Sequence, residues 1–423
     1  MLKERPMISI RQLHDADMAD AFRLMGDAYP GIGIVSDRDV ENRVELWRSR
    51  EHDPRLVFYG AYHQDQLVGA MRLHDFSMHL RGTMVATGGV GAVAVHLAHK
   101  KQHVAKDMME FYLDHYHRRE FPMAILWPFR TDFYHNMGFG YGARVFQYRL
   151  LPAALPKAPG KEHVRYLSDD DCPAVCDCYN RCVRIRNGLI QEHLSAFVNR
   201  RKFQKNQRWV GYVDGDMVRG YIQFNFDPSV SKNFIKNDLE VTELFYEDRD
   251  VLAELLEFLR VQADQINRIT ISTAEDEFYF QLADVRDDTD HMIPSVNHQS
   301  HVAGVGIMYR ILDLPRLLGL LADHDFNGVS ITLKITQRDT FFPSNAGSTT
   351  VKFEEGRACV VDSGSHDVEI TLDVAELSSL LMGSIGFREL HLYRLAEISD
   401  PSQIDTIDRL FVTRRPPLTV TPF

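Results

Sequence analysis

A chain of 423 residues exceeds one ordinary hydrophobic core, and at roughly 150 residues per domain it holds about three. Hydrophobic residues at 44% and charged residues at 25% exclude disordered, collagen-like and membrane classes, and a formal charge of −11 argues against general binding to nucleic acid while suiting a cationic partner. The longest apolar runs, Gly91 to Val95 and Leu317 to Leu321, fall far short of the roughly 20 residues of a bilayer span, and Met1 to Pro6 shows no signal-peptide pattern. Five cysteines are few and odd in number for a secreted disulfide framework. A cytoplasmic protein without a membrane partner is expected.

Asp27, Asp37, Asp39 and Glu41 lie between a first helix and Trp47, where carboxylates would draw a polycation to an entrance, although any one of them is more often plain solvated surface. Leu56 to Tyr62 and Gln66 to Leu73, separated by His63-Gln64-Asp65, predict a β-hairpin. Thr87-Gly88-Gly89-Val90-Gly91 lacks the Gly-Lys-Ser/Thr of a phosphate loop and reads as a bulge or strand entrance. Val93 to Leu97 then leads to an amphipathic helix from Val104 to His117, with a strand at Ala124-Ile125-Leu126 behind it. The turn Leu97 to Ala105 would offer the free amides and positive end of that helix, with Lys100 and Lys101 beside it, to a phosphate.

This unit recurs. Arg208 to Val213, Asp214-Gly215-Asp216 and Met217 to Phe224 repeat the hairpin, Gly211 and Gly220 standing for Gly60 and Gly69 at one constant offset. Thr242 to Tyr246, a helix from Val251 to Ile266 and Ile269-Thr270-Ile271 complete the copy. Its turn carries Glu247, Asp248, Arg249 and Asp250, whose anionic side chains would cap the helix and repel phosphate. From about Val305 the pattern changes to period-two strands at Ile331 to Ile335, Thr349 to Phe353 and Val368 to Leu372, with a capping-box start at Asp373-Val374-Ala375-Glu376 to a helix ending near Gly383. Linkers at Pro152 to Gly160 and Pro294 to Gly304 divide the chain into units 1–150, 151–300 and 301–423, a mixed α/β architecture of two tandem copies and an α+β domain.

No metal site is expected. Cys172, Cys176, Cys178 and Cys182 point in nearly opposite pairs around a helix and read as buried thiols, while His96, His99 and His103 flank a turn without a companion carboxylate.

The strand Val93-Ala94-Val95, the basic turn and Asp132-Phe133-Tyr134-His135-Asn136-Met137-Gly138-Phe139-Gly140 together resemble the acetyl-CoA site of GNAT-superfamily N-acetyltransferases. The resemblance implies acetyl-CoA as cosubstrate, held by Val93, Ala94 and Val95 of a bulged strand and by Lys100, Lys101, Gln102, His103, Val104 and Ala105 at the pyrophosphate. It places Tyr134 as general acid toward the CoA thiolate. His103 stands where the family turn has its first glycine, and Lys100 where it has Arg or Gln.

Over nearly the whole chain the order of units is similar to that of Eis-type (enhanced intracellular survival) enzymes: an active GNAT domain, a degenerate GNAT-like copy and a domain similar to sterol carrier proteins. In that group the carboxylate of a final Phe is the base, which here implies Phe423 in the ending Leu418-Thr419-Val420-Thr421-Pro422-Phe423. The acceptor implied is an amine of an aminoglycoside, another polycation or a lysine side chain, with Asp27 and Asp37 as substrate-binding candidates, and the assembly implied is a homo-oligomer, a hexamer by analogy. The rival expectation is a lipid- or sterol-binding protein on a non-catalytic GNAT scaffold.

Overall fold

The computed structural model describes residues 8–48, 55–203, 206–227, 235–287, 289, 291–362 and 364–423. The first unit runs β1 (Ser9–Gln12), α1 (Met18–Ala28), α2 (Asp37–Arg48), β2 (Leu56–His63), β3 (Gln66–Leu80), β4 (Thr83–Val95), α3 (Val104–Arg118), β5 (Met123–Leu126), α4 (Thr131–His135) and β6 (Gly140–Tyr141). Strands β1 to β4 are antiparallel neighbours, and the α3 crossover returns β5 parallel to β4. Helix α3 earns its place by burying Val104, Met108, Tyr112 and Tyr116, one every four residues or so, against this sheet.

The second unit repeats the plan with β7 (Arg144–Leu150), β8 (Val164–Tyr166), α5 (Cys172–Val183), α6 (Leu194–Phe203), β9 (Arg208–Asp214), β10 (Met217–Asp227), β11 (Asn237–Tyr246), α7 (Arg249–Arg260) and β12 (Ile266–Thr273). Helix α7 stops at Arg260, short of the expected Ile266, because the chain turns at Val261 to Gln265 and Ile266 opens β12 instead. The four cysteines of α5 are buried, Cys176, Cys178 and Cys182 of them in a cluster with Tyr179, Phe197, Trp209 and Phe245. A small hairpin, β13 (Met292–Ile293) and β14 (Asn297–His298), precedes β15 (Val302–Val305) and β16 (Met308–Ile311).

The third unit holds α8 (Leu314–Leu320), β17 (Ile331–Arg338), β18 (Gly347–Glu354), β19 (Arg357–Val361), β20 (Val368–Asp373), α9 (Val374–Met382), α10 (Phe387–Leu392), β21 (Ala396–Ile398) and α11 (Ile404–Phe411), its sheet ordered β19-β18-β17-β20-β21. The expected capping box at α9 does not form. Asp373 pairs with Arg338 at 2.7 Å and Glu376 reaches His135 at 3.0 Å, so both carboxylates are spent outside the helix start. No helix among the described residues is long and apolar enough to cross a membrane.

The units exchange strands. The first sheet is ordered β1-β2-β3-β4-β5-β16-β6 and the second β15-β7-β12-β11-β10-β9-β8, so β7, which ends at the boundary expected near residue 150, belongs to the second sheet and β15 begins within the expected linker. All four residues of β5 are buried, and a buried strand edge must have its amides and carbonyls paired; β16, itself wholly buried, does this by antiparallel pairing of Met308 with Leu126 through Ile311 with Met123. Helix α9 lies buried between β16 and the third sheet, which merges the first and third units into one apolar core.

Two buried arginines fasten this junction. Arg81 donates to the carbonyls of Leu381 at 2.9 Å and Phe411 at 2.5 Å; burial pushes its pKa down to about 10, so it stays charged at neutral pH. Arg310 binds Asp339 at 2.5 Å with both side chains essentially unexposed, and it donates to the Met137 carbonyl. Gly138, at φ +81°, makes the room: a Cβ there would lie 1.6 Å from the guanidinium. Because removing one partner strands a buried charge, Asp339→Ala is expected to lower stability by about 3–5 kcal/mol. Urea unfolding checks this, and a loss under about 1 kcal/mol would show that the pair is dispensable.

Candidate active site

Strands β4 and β5 pair in parallel only from Thr87 with Met123 to Val90 with Leu126. Beyond that they separate, for two local reasons. On β4, Ala70 opposes Ala94 and Arg72 opposes Gly91, so Ala92 and Val93 face Met71 alone; this is a bulge, with Ala92 at φ +51°, and it re-aims the backbone away from the ladder. On the other side, Pro128 offers no N–H to continue pairing. A wedge opens between Gly91 to Val95 and the chain after Leu126, and the expected strand Val93, Ala94 and Val95 is one of its walls.

Two phenols neighbour each other beside the Val93 wall. Tyr29, just after α1, donates to the Val93 carbonyl at 2.5 Å, and burial raises its pKa. Tyr134 on α4 packs edge-on against Phe129, Phe133 and Phe139; burial first and the neighbouring Tyr29 second push its pKa far above the usual phenol value. Both are therefore protonated at neutral pH. Periodicity gave no sign of Tyr29, since its role depends on a partner 64 residues away.

At the rim, Lys100, Lys101, Gln102 and His103 are all exposed, and α3 begins without a side-chain cap. The amides at its first turn, from Val104 and Ala105 onward, lack intrahelical acceptors and face the dipole's positive end outward, a ready site for a pyrophosphate. Lys101 and His103 sit at φ +64° and +65°. This is the geometry that a glycine adopts most cheaply, and His is among the side chains that tolerate it, so the imidazole stands in solvent while the backbone keeps the turn.

The second copy is closed at the equivalent place. Asp248 caps α7 by accepting from the amides of Asp250 and Val251, both at 3.0 Å, while Arg219 holds its other oxygen at 2.7 Å. An anion would find its amides taken and a carboxylate in its way.

Phe423 lies against the bulged strand. A Cβ on Gly91 would meet the terminal carbonyl carbon of Phe423 at 2.7 Å and its oxygen at 3.0 Å. The Phe423 ring stands edge-on to Phe76 and His74, at 5.0 and 5.6 Å between centroids. His74 accepts from Arg72 Nε at 2.8 Å; burial, then Arg72 and Arg55, holds its pKa well below the usual value, so it is neutral. Trp127, also unremarked in the sequence, donates its indole N–H to the Thr421 carbonyl at 3.3 Å.

The carboxylates expected at the entrance are dispersed. Asp27 is exposed on α1, two residues before Tyr29, with no partner among the described contacts bearing on the wedge. Asp37 opens α2 and pairs with Arg23 at 3.1 Å on the surface, and Asp39 accepts from the Ser36 amide at 2.9 Å as a local cap.

Comparison with known proteins agrees with this geometry. An acetyltransferase (GNAT) domain model matches residues 9–142, a second acetyltransferase (GNAT) model residues 186–311, and a sterol carrier protein domain model residues 317–419. No curated protein matches the chain. A GCN5-related N-acetyltransferase from Kribbella flavida superposes with a TM-score of 0.78 at 18% identity, covering 99% of each chain. One from Anabaena variabilis does so at 0.78 and 14%, covering 99% of this chain and 100% of that one, and Eis1 from Mycobacterium abscessus at 0.76 and 18% with the same coverage. These identities speak to fold. The two acetyltransferase (GNAT) domain matches, with an open wedge and an uncapped helix start in the first, make this chain an N-acetyltransferase that carries two GNAT domains followed by a sterol-carrier-like domain.

Proposed function

We propose that the chain transfers an acetyl group from acetyl-CoA to an amine of a polycationic acceptor, an aminoglycoside or a lysine side chain, in the manner of Eis-type enzymes. Acetyl-CoA would lie with its pyrophosphate on the amides of Val104 and Ala105 and its thioester in the β4–β5 wedge, where the bulge turns the amides of Val93 to Val95 toward the carbonyl. The observation that carries the reading is the Phe423 terminus seated on Gly91, at the bulge itself. It supplies an anion that attracts an ammonium and passes its proton on, while Tyr134 donates to the departing sulfur. Direct attack needs no enzyme-bound intermediate, because amine and thioester held together gain the proximity advantage. The overall charge of −11 favours a cationic acceptor.

Release of CoA thiol from acetyl-CoA, measured over a panel of aminoglycoside, polyamine and lysine-peptide acceptors, tests the proposal. Turnover with amines supports it; absence of thiol release with all of them, alongside no calorimetric binding of acetyl-CoA, refutes it. A narrower prediction concerns Gly91→Ala, whose Cβ has space only if the terminus moves. It is expected to cut kcat about tenfold or more through displacement of the carboxylate, with the KM for acetyl-CoA and the melting temperature little changed. Native kcat in Gly91→Ala would place the terminus away from the reaction.

A further inference from the structure

The second GNAT domain has kept its fold and lost its phosphate edge, and the chain's own C-terminal segment packs against it elsewhere. Strands β11 and β12 pair only through Val241 and Ile271, so this domain also opens a wedge. Across its mouth Tyr246 donates to Glu275 at 3.2 Å and Arg186 binds the same carboxylate at 2.8 Å, and Arg415 reaches it from the tail at 3.9 Å. The tail then runs along Asn187 to Glu192, the segment that follows α5. That segment pairs on one side with β3, through His79 N–H to Leu189 at 2.8 Å and Gln191 N–H to Ser77 at 2.8 Å. On the other side it accepts the Leu418 N–H at Asn187, 2.8 Å, and the Thr419 hydroxyl at Gly188, 2.8 Å.

The tail's alternation is as informative as its contacts. Leu418 and Val420, half-buried, pack against the cluster around α5, while the buried Thr419 and Thr421 present hydroxyls to two buried phenols, Tyr309 at 3.0 Å and Tyr179 at 3.4 Å, and Thr421 also donates to Glu192 at 3.3 Å. Left free, such a segment would sample many conformations, at about 1–2 kcal/mol per residue to order it, and its carboxylate would be a diffuse charge rather than a placed one.

We propose that the degenerate GNAT domain, through α5 and the segment Asn187 to Glu192, forms with β16 of the first sheet the receptor for the C-terminal tail, and that Tyr179 and Tyr309, acting through Thr421 and Thr419, are positioning residues that hold the Phe423 carboxylate at Gly91 in the first domain. This rests on the reading of Phe423 as the base. It gives the second domain a part in the reaction without binding cofactor, and it makes the threonines, which touch no substrate, necessary for turnover.

The test is the pH dependence of acetyl transfer from acetyl-CoA to spermidine between pH 7 and 10, for the native chain, Thr419→Val/Thr421→Val, Thr419→Ser/Thr421→Ser, and a chain lacking Phe423. The double valine variant is expected to lose about tenfold or more in kcat at pH 7 with the KM for acetyl-CoA unchanged. The deficit should shrink as pH rises and the amine neutralises without help, and the double serine variant, which keeps both hydroxyls, should restore native kcat. Removing Phe423 from the double valine variant should cost less than removing it from the native chain. Native kcat in the double valine variant, with a large loss on removing Phe423, would overturn the clamp and leave the base standing. Native kcat after removal of Phe423 would overturn the base and the clamp together.

Discussion

Removing Phe423, or appending residues after it, is expected to lower kcat at pH 7 by about two orders of magnitude or more, the usual contribution of a positioned acid or base. The size follows from the acceptor. An amine with a pKa near 10 is neutral in roughly one molecule per thousand at pH 7, so most encounters deliver an ammonium that cannot attack. A carboxylate whose ordinary pKa lies six or more units lower cannot simply take that proton, since the transfer would run uphill by about 9 kcal/mol. What it offers is a fixed negative charge where the ammonium must sit, and an acceptor through which the proton leaves by way of water as the nitrogen bonds to carbon. The loss should therefore follow the amine. At pH 7 it is largest; as pH climbs through the acceptor's pKa the neutral amine becomes abundant, and the truncated chain should converge on the native rate. A C-terminal tag and an N-terminal tag compared across that range make the measurement. A pH-independent deficit would mean that the terminus shapes the site rather than serving the proton.

Much of this architecture is legible in the sequence, and the legible part is what local physics controls. The hairpins, α3, and the strands Ile331 to Ile335, Thr349 to Phe353 and Val368 to Leu372 follow from side-chain period, and each lies inside an observed element. Duplication shows through because Gly60 and Gly211 occupy one crowded strand position twice; a Cβ on either would meet a leucine within 3 Å. The acidic turn at Asp248 declares the second copy's closed helix start, since a capping aspartate acts within three residues. What escapes notice depends on distant pairing. Nothing in Met308 to Ile311 says that it completes the first sheet, nor does Arg310 announce a buried partner at Asp339. The same holds for the proposed site: the turn Lys100 to Ala105 and Tyr134 are readable by order along the chain, whereas Tyr29 and Trp127 matter only because Val93 and Thr421 are folded onto them. Asp373 and Glu376 show the converse, a local capping pattern overridden when tertiary partners Arg338 and His135 bid for both carboxylates.

Tyr134→Phe is expected to reduce kcat by about 10²- to 10³-fold with the KM for acetyl-CoA nearly unchanged. The ring contacts to Phe129, Phe133 and Phe139 survive the substitution, so the loss is that of one hydroxyl rather than of packing. That hydroxyl is an unusual acid. Burial and Tyr29 hold its proton far above the ordinary phenol range, whereas a free thiol titrates near 8.5, so full transfer to the sulfur costs at least about 2 kcal/mol if the thiolate keeps its aqueous basicity. In the wedge it does not: the departing sulfur is desolvated as the phenol is, its proton affinity rises with the same burial, and a hydrogen bond formed as the C–S bond breaks stabilises charge that water cannot reach. The sign of the pH effect separates this from an ordinary phenolic acid. Because the folded-state pKa is raised, the donating form persists throughout pH 7 to 10, and kcat for the native chain should show no descending limb near pH 10. A descending limb centred at the ordinary tyrosine value and absent from Tyr134→Phe would mean that the phenol is solvated in the working enzyme, and that its proton is exchanged with water rather than held for the sulfur.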